Sequence, residues 1–451
     1  MLNIKRTFWG AFALLTILWF LAEPSVFQAD NFRAVRSAVM QYSGVIAIGA
    51  MCLAMVLALR PHWPERWFGG LDKMYRLHKW FGIAVLAVAV VHWLWAKGPK
   101  WAAGWGWFTP GRHGVRSPPG NAVEATFRSL RHTAESSGEW AFYALVVLLV
   151  LALIRYFPYR LFHKTHWLIV PAYLVLVFHS VVLMDFSYWT APIGWVMAVL
   201  LVAGAWASLV ALFGRIGADR QVPGEIASLQ YYPGVRALEI GIDVSQGWPG
   251  HKSGQFAFAT SDAAEGAHPY TIASGWDDKT RQIALIAKEL GDHTSRLRER
   301  LAVGQAMKIE GPYGCFTFDD DRPHQIWIGG GIGITPFIAQ MKHLAALRAE
   351  AQGGQRPQTI HLFHCTPDAD ETAFAKLTAD AKAANVVLHL MLDSRDGLLT
   401  GEQIRSTVRQ WQEASIWFCG PAGFGHALQS DFAAHGFPVA QHFHRELFNL
   451  R

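Results

Sequence analysis

Long apolar segments dominate the chain up to about residue 213, and short alternating segments follow. An apolar run of about 20 residues is long enough to cross a bilayer as a helix. We assign six such runs as spans, with the limits 7–22, 38–59, 78–96, 138–156, 164–183 and 190–213. The hydrophobic pattern therefore predicts a membrane α-helical bundle of six spans.

The charges between these runs orient the bundle. Segment 60–79 carries Lys or Arg at five positions, which is typical of a cytoplasmic loop. Six spans then place both termini inside and the Trp-, Gly- and Pro-rich segment 97–137 outside. The first run follows Lys5 and Arg6 and is either a cleaved signal peptide or a span. We favour a span because no small-x-small cleavage site follows it.

The pattern changes past residue 217. Segments 225–230, 236–244 and 255–260 are short, β-like and broken by Gly and Pro, which predicts a small antiparallel β-barrel. From about residue 323 strands alternate with helices, which predicts a parallel α/β sheet whose ligand edge lies at the carboxyl ends of its strands. We expect three domains, a membrane domain at 1–217, a β-barrel at 218–322 and an α/β domain at 323–451.

Composition agrees with this division and narrows the partners. The chain is 52% hydrophobic and only 16% charged, so membrane lipid is an expected partner. The net charge of +6 comes mostly from loops beside the spans, and no basic array suits nucleic acid. The four cysteines show no Cys-x-x-Cys spacing, which argues against an iron–sulfur cluster, a zinc site and a disulfide framework.

Two of the spans carry paired histidines. His78 and His92 are 14 positions apart, about 21 Å along one helix face. His166 and His179 are 13 positions apart, about 19.5 Å by the same rise. Ionisable groups inside a bilayer are costly and usually functional. Set side by side, the two spans would form two bis-imidazole sites, which is what two b-type haems need; interfacial or pore-lining histidines are the alternative, and we assign that role to His163.

Three stretches of the second half suit a dinucleotide and a flavin. The run Gly329–Phe337 lies between a strand and a helix, where glycines let backbone N–H groups approach a pyrophosphate, although plain packing is the alternative. The run His268–Ser274 sets an aromatic ring beside hydroxyls, as an isoalloxazine requires, and a polar strand end is the alternative. The run Gly291–Ser295 is expected to open a helix suited to a phosphate.

Read in order, these motifs and the later Cys-Gly-Pro resemble the ferredoxin–NADP reductase superfamily. With six spans and paired histidines in front, the chain resembles the NADPH oxidase and ferric reductase family. The resemblance implies that FAD is held by His268, Pro269, Tyr270, Thr271, Ser274, Asp292, His293, Thr294 and Ser295. It implies that NAD(P)H is held by Gly330, Gly331, Gly333, Thr335, Pro336, Gly420 and Pro421. It also implies catalytic roles for Cys419 and for Phe448, which would cover the flavin ring; a C-terminal core anchor is the alternative for Phe448.

The resemblance implies a transmembrane oxidoreductase of the cell (inner) membrane with a cytoplasmic dehydrogenase domain. Electrons would pass from NAD(P)H to FAD, then to haem on His78 and His166, then to haem on His92 and His179. The acceptor outside is a ferric chelate or O2, giving superoxide. The alternative is a haem-containing membrane electron donor to a periplasmic partner protein. The choice between NADH and NADPH stays open, because 364–367 lacks the Arg that often meets the 2′-phosphate, for which Arg395 is a candidate substitute.

Overall fold

The computed structural model of the 451-residue chain describes residues 2–29, 31–107, 118–154, 157–262, 265–291, 293–350 and 358–446. By its internal contacts the chain divides into two compact units. The first comprises Met1–Phe68 and Lys73–Ile216, and the second comprises Gly69–Asp72 and Gly217–Arg451. In the part described, the first unit contains helices, and the second contains two β-sheets with helices around one of them.

Six helices are long and apolar enough to cross a membrane, which confirms the predicted number of spans. The helices of the first unit are α1 Leu2–Ala22, α2 Phe32–Ala58, α3 Glu65–Phe68, α4 Leu71–Gly104, α5 Ala122–Leu153, α6 Tyr159–Trp167, α7 Ile169–Leu183 and α8 Pro192–Leu212. The central helix is α2, because 56% of its apolar window is buried against 11–28% in the other spans.

Two helices are longer than their apolar runs, so the long outer loop expected over 97–137 is wrong in its limits. Both α4 and α5 run into this segment. Asn121 caps the start of α5 by accepting a hydrogen bond from the backbone N–H of Glu124 at 2.9 Å. One turn on, Arg128 pairs with Glu124, which supports a helix outside the apolar run. Hydropathy does not reveal this part of α5 because it is charged.

The fifth predicted span is divided between α6 and α7, which are separated at Leu168. Pro171 explains the break. Proline has no N–H to donate to the carbonyl of Trp167, four residues earlier, and its ring crowds that carbonyl. As a result, His166 lies on α6 and His179 lies on α7, instead of both on one continuous helix.

The first sheet of the second unit is antiparallel. Its strands are β1 Gln221–Tyr232, β2 Ala237–Val244, β3 Phe256–Thr260, β4 His268–Thr271, β5 Gln282–Lys288 and β6 Ala306–Tyr313, in the spatial order β4-β3-β6-β1-β2-β5. Just after β4, Ile272 forms a bridge with Leu285 of β5, and the N–H of Ala273 donates to the carbonyl of Ala284 at 2.7 Å. The two outer strands therefore meet, which agrees with the predicted barrel.

The second sheet is parallel in every pairing, as predicted, with the order β11-β10-β7-β8-β9. Its strands are β7 His324–Gly330, β8 Thr359–Thr366, β9 Val387–Leu392, β10 Ala414–Cys419 and β11 Phe443–Arg445. The remaining helices are α9 Leu297–Arg300, α10 Thr335–Glu350, α11 Glu371–Ala384, α12 Asp393–Asp396, α13 Gly401–Thr407, α14 Ala422–Ala434 and α15 Val439–His442. Buried side chains of α10 and α11 pack on one face of the sheet, and those of α13 and α14 pack on the other.

Several local predictions differ from the structure. The helix expected over 401–411 ends at Thr407, because Val408 turns extended and buries its side chain. The run 291–295 does not open a long helix, since only a 3₁₀ turn and the four-residue α9 follow it. The short edge strand β11 has no signal in the sequence, because three residues are too few for a recognisable alternation.

Candidate functional site

The structure brings the four membrane histidines together as two facing pairs. The ring centres of His78 and His166 are 6.0 Å apart, with an angle of 63° between the ring planes. Those of His92 and His179 are 6.5 Å apart, with an angle of 79°. A metal–imidazole bond is about 2 Å long and a ring nitrogen lies roughly 1 Å from the ring centre, so two rings sharing one metal have centres about 6 Å apart. Both pairs match this separation.

Hydrogen bonds determine which nitrogen of three of these rings carries the proton. Nδ1 of His78 lies 2.9 Å from the carbonyl of Ala54, and Nδ1 of His179 lies 2.8 Å from the carbonyl of Ala134. A carbonyl only accepts, so each Nδ1 carries the proton and each Nε2 keeps its lone pair for a metal.

The third ring, His92, has its Nδ1 2.9 Å from the hydroxyl of Ser43. That hydroxyl donates its only proton to the carbonyl of Val39 at 2.6 Å, so it accepts from His92. His166 is different: its Nδ1 is buried without a hydrogen-bond partner among the described residues, and its ring stacks on Phe162 at 4.9 Å.

A glycine allows α5 to approach one of these rings. A Cβ added to Gly138 of α5 would lie 1.9 Å from Nδ1 of His179, whereas one added to Gly44 of α2 would make only an ordinary contact, 3.4 Å from Cε1 of His92. Any larger residue at Gly138 would occupy the place of the imidazole. The backbone of α5 therefore forms one wall of the second histidine pair.

In the barrel, residues from the two motifs assigned to the flavin lie against each other. The rings of His268 and His293 are stacked, with centres 3.6 Å apart and planes 10° apart. The hydroxyl of Tyr270 lies 3.0 Å from Nε2 of His293. Pro269 and Thr271 share β4 with His268 and Tyr270, and β4 pairs with β3 through backbone hydrogen bonds. The strand and the turn after β5 thus meet at one polar cluster.

Glu265 links this cluster to α9. Its carboxylate accepts a hydrogen bond from Nδ1 of His293 at 2.5 Å and another from the guanidinium of Arg300. Burial opposes the ionisation of Glu265, but the hydrogen bonds from His293 and Arg300 outweigh it and lower the pKa of the carboxyl to about 2. Burial also raises the pKa of Tyr270 above its usual value. At neutral pH the cluster therefore has one carboxylate holding two nitrogen donors.

Two of the hydroxyls assigned to FAD have structural partners. The hydroxyl of Thr294 accepts the backbone N–H groups of Leu290 and Gly291, at 3.0 and 3.2 Å. The hydroxyl of Ser274 accepts the N–H of Ala284 at 3.1 Å, which ties the end of β4 to β5. Both hydroxyls thus stabilise the turns they belong to. Ser295 lies in the same 3₁₀ turn as Thr294, and Asp292 falls outside the described residues.

The two glycine-containing turns assigned to the nucleotide lie side by side, because β7 and β10 are neighbouring parallel strands. A Cβ on Gly333 would lie 2.1 Å from the carbonyl oxygen of Cys419, and one on Gly330 would lie 2.8 Å from Cδ of Pro421. A Cβ on Gly420 would lie 3.1 Å from the backbone of Gly330, which is also too close for an ordinary contact. These glycines are therefore required for packing, which was the alternative considered for this run.

Gly331 is the exception in this run. Its φ is +57°, which favours glycine, and a Cβ there would meet nothing within 4 Å. The hydroxyl of Thr335 donates to the carbonyl of Ile332 at 2.8 Å, and Pro336 follows at the second position of α10, where no intrahelical N–H is needed. The open backbone at Gly331, just before a 16-residue helix, is the part of the run suited to a phosphate.

The structure describes one of the two residues assigned to catalysis. Cys419 is fully buried at the end of β10, and burial raises the pKa of its thiol well above the usual value. Its thiol is therefore neutral at physiological pH. Phe448 lies outside the described residues.

Sequence reasoning missed several residues of these sites. Glu265 and Arg300 belong to no motif and reach the cluster only through folding. Ser43 and Gly138 contact the histidines from other helices. The charged composition of the segment around Arg300 was visible, but nothing in it pointed to β4.

A family model described as ferric reductase like transmembrane component matches residues 43–177. The match includes His78, His92 and His166 and ends two residues before His179. It covers α2 from residue 43 onward, the spans α4 and α5, and most of the α6–α7 span.

Three curated proteins show what the chain is similar to. A flavohemoprotein of Pseudomonas putida is 25% identical over 190 residues, covering 40% of this chain and 46% of the relative. The ferredoxin reductase component of a Rhodococcus rhodochrous 3-ketosteroid-9-alpha-monooxygenase is 26% identical over 187 residues, covering 41% and 51%. Respiratory burst oxidase homolog protein E of Arabidopsis thaliana is 27% identical over 216 residues, covering 41% and 22%. The chain spans about half or less of the length of these relatives.

The six apolar helices make the chain a multi-pass membrane protein, and the matched family model and relatives carry the names of reductases and oxidases. The antiparallel barrel and the parallel sheet follow the membrane helices in the order expected for a ferredoxin reductase-like module. The chain therefore combines a ferric reductase-like membrane part with a ferredoxin reductase-like module, a fused architecture that resembles that of the NADPH oxidase and ferric reductase family.

Proposed function

We propose that this protein passes electrons from cytoplasmic NAD(P)H through FAD and two b-type haems to an acceptor on the outer side of the membrane. The acceptor is a ferric chelate or O2, which would give superoxide. The observation that carries the proposal is the pair of facing imidazoles at each of two levels of the membrane helices. When bound, FAD divides the hydride of a nicotinamide into single electrons, and haem carries them one at a time.

The membrane histidines fit this role by tautomer as well as distance. In His78, His92 and His179 the proton is held on Nδ1, so Nε2 is available as an iron ligand. Hydrogen bonds to the second nitrogen also hold a ring at a fixed angle, which is how ligand orientation is usually maintained at metal sites. The four rings are half-buried among the apolar helices, and in three of them the Nδ1 proton is engaged by a backbone carbonyl or by the hydroxyl of Ser43.

The second unit fits the two remaining ligands. His268, Tyr270 and His293 form a polar and aromatic cluster where β4 meets the turn after β5, and a flavin requires both kinds of contact. The open turn at Gly331 offers backbone N–H groups at the start of α10, where the helix dipole favours the charge of a pyrophosphate. Cys419 lies beside this turn with a neutral thiol, so it does not place a charge near the nicotinamide.

A difference spectrum of the purified full chain tests the haem ligands. We expect dithionite-reduced minus oxidised spectra to show two b-type haems per chain. His92→Ala and His166→Ala should each lose one of them. His163→Ala is the matched control, because His163 is exposed one turn before His166 and should leave both signals intact. Unchanged spectra in His92→Ala and His166→Ala would overturn the assignment.

Acceptor assays separate the two reactions at the outer face. Adding a reduced nicotinamide nucleotide to the aerobic protein should yield superoxide if O2 is the acceptor. Adding it with oxygen excluded should yield a ferrous chelate if a ferric chelate is the acceptor. If the haems become reduced and neither product forms, both acceptors are wrong.

A further inference from the structure

The carboxyl ends of β8 and β9 carry a concentration of negative charge. The two turns that follow these strands, 367–370 and 393–396, contain four carboxylates, at Asp368, Asp370, Asp393 and Asp396, and a single cation, Arg395. Asp370 caps α11 by accepting the N–H of Ala373 at 2.9 Å. In a parallel sheet of this kind, the end of the strand after the glycine turn is where the adenosine ribose is recognised.

The lysines near this edge of the sheet form ion pairs with carboxylates. A cavity of about 90 Å³ between the barrel and the sheet is lined by Gly331 and by three lysines, Lys288, Lys342 and Lys376. Lys288 pairs with Asp368 at 2.7 Å. Lys376 and Lys342 both face Glu239, at 2.6 and 3.8 Å. Each lysine lining this cavity therefore has a carboxylate partner.

Arg395 is likewise paired with a carboxylate. Its guanidinium donates to the carboxylate of Asp396 at 2.8 and 2.9 Å and to the carbonyl of Leu390 at 3.0 Å. Those bonds occupy the fork that would otherwise grip a phosphate. Arg395 therefore does not replace the arginine that is missing after β8, and a 2′-phosphate would have to break an ion pair to reach Arg395 or a lysine of the cavity.

Asp368 has the properties needed to bind a ribose that carries no 2′-phosphate. It is half-buried, and its backbone N–H donates to the hydroxyl of Thr366 at 3.2 Å while the Thr366 hydroxyl contacts its carbonyl at 3.1 Å. The ion pair with Lys288 places its carboxylate beside the cavity that Gly331 and His364 line. A carboxylate accepts hydrogen bonds from a ribose diol and repels a phosphate dianion.

We infer that this protein selects NADH over NADPH, and that Asp368 is the specificity-determining residue. The inference rests on the proposed function, since it names which nicotinamide nucleotide the same site takes. Lys288 orients the carboxylate of Asp368, and Asp396 holds Arg395 in an ion pair so that it does not bind a phosphate. The four acidic residues of the two turns disfavour the additional negative charge of NADPH.

Anaerobic reduction of the flavin in the purified full chain tests the inference. We expect the second-order rate constant of flavin reduction by NADH to exceed that by NADPH on the order of tenfold or more, since like charges brought together cost enough for such discrimination. Competitors give a second readout: 5′-ADP should inhibit more strongly than 2′,5′-ADP. A wild-type protein that prefers NADPH overturns the inference without any variant.

The variant Asp368→Asn keeps the size of the side chain and removes its charge. Its NADH-to-NADPH ratio should fall by about tenfold. The control Glu402→Gln changes the net charge equally at the exposed start of α13 and should leave the ratio unchanged. An unchanged ratio in Asp368→Asn would refute the role of that carboxylate. If neither nucleotide reduces the flavin of the wild type, the proposed function itself fails, which is a different result.

Discussion

The substitution Gly138→Ala should remove one of the two proposed haems and leave the other. Gly138 lies on α5 with no side chain between its backbone and the ring of His179. The carbonyl of Ala134, one turn earlier on the same helix, accepts the hydrogen bond from Nδ1 of His179 at 2.8 Å. A methyl group at position 138 would therefore displace the ring of His179 directly and would leave the His78–His166 pair undisturbed.

The size of the disturbance follows from the geometry. The added Cβ would lie 1.9, 2.6 and 2.7 Å from Nδ1, Cγ and Cε1 of His179, whereas ordinary contacts begin at 3.4 Å. The ring must therefore move by at least 3.4 − 1.9 = 1.5 Å. Such a shift breaks the bond to Ala134 and takes Nε2 out of reach of an iron shared with His92. Overpacking of this kind costs about 1–3 kcal/mol, which a folded membrane domain can withstand.

A pyridine haemochrome assay and a reduced-minus-oxidised spectrum measure the outcome. We expect the haem content of Gly138→Ala to fall from two per chain to one, with the His78–His166 signal retained. The retained signal shows that the protein has folded. Gly82→Ala is the matched control on α4, because a Cβ at Gly82 meets nothing within 4 Å. Two haems with unchanged spectra in Gly138→Ala would refute this account of the second site.

The remaining predictions concern the second unit. Because the pKa of Glu265 is lower in the folded protein, about 2 against 4.5 unfolded, its ionised form stabilises the fold above pH 4.5, and this contribution is lost as the pH falls from 4.5 towards 2. Melting temperatures of the full chain should therefore fall more steeply over that window in the wild type than in Glu265→Gln; parallel curves would contradict it. Gly333→Ala, with its Cβ 2.1 Å from the carbonyl of Cys419, should destabilise the unit by about 1–3 kcal/mol in chemical denaturation. Gly423→Ala, open on all sides in α14, should be neutral or stabilising, and an equal loss in both would mean that the close contact is not the cause.

Much of the membrane unit was readable from hydropathy, because a bilayer admits only apolar stretches of sufficient length and each helix satisfies its own backbone. The limits were less accurate. The charged start of α5, capped by Asn121, has no hydropathy signal. The break before α7 has a local cause in Pro171, but its effect is to place His166 on α6 and His179 on α7, which a single spacing along one helix does not describe.

The second unit shows the same division. Alternating apolar positions and glycine turns predicted an antiparallel barrel and a parallel sheet, since strand periodicity and turn chemistry are local properties. The motifs around His268 and Gly331 could be recognised because each is also a short, continuous stretch of sequence. The ion pairs of Glu265 and Asp368 were not, because their partners Arg300 and Lys288 are 35 and 80 residues away.

The amino-acid sequence alone determined the spans, the order of the two sheets and the residue types available for chemistry, because each depends on a short stretch of chain. Only the tertiary structure decided which nitrogen is free in three of the four membrane histidines, which glycines are needed for close contact between helices or turns, and which cations near the nucleotide turn are paired. Those properties depend on atoms a few ångströms apart that belong to segments distant in sequence, and no local pattern encodes such distances.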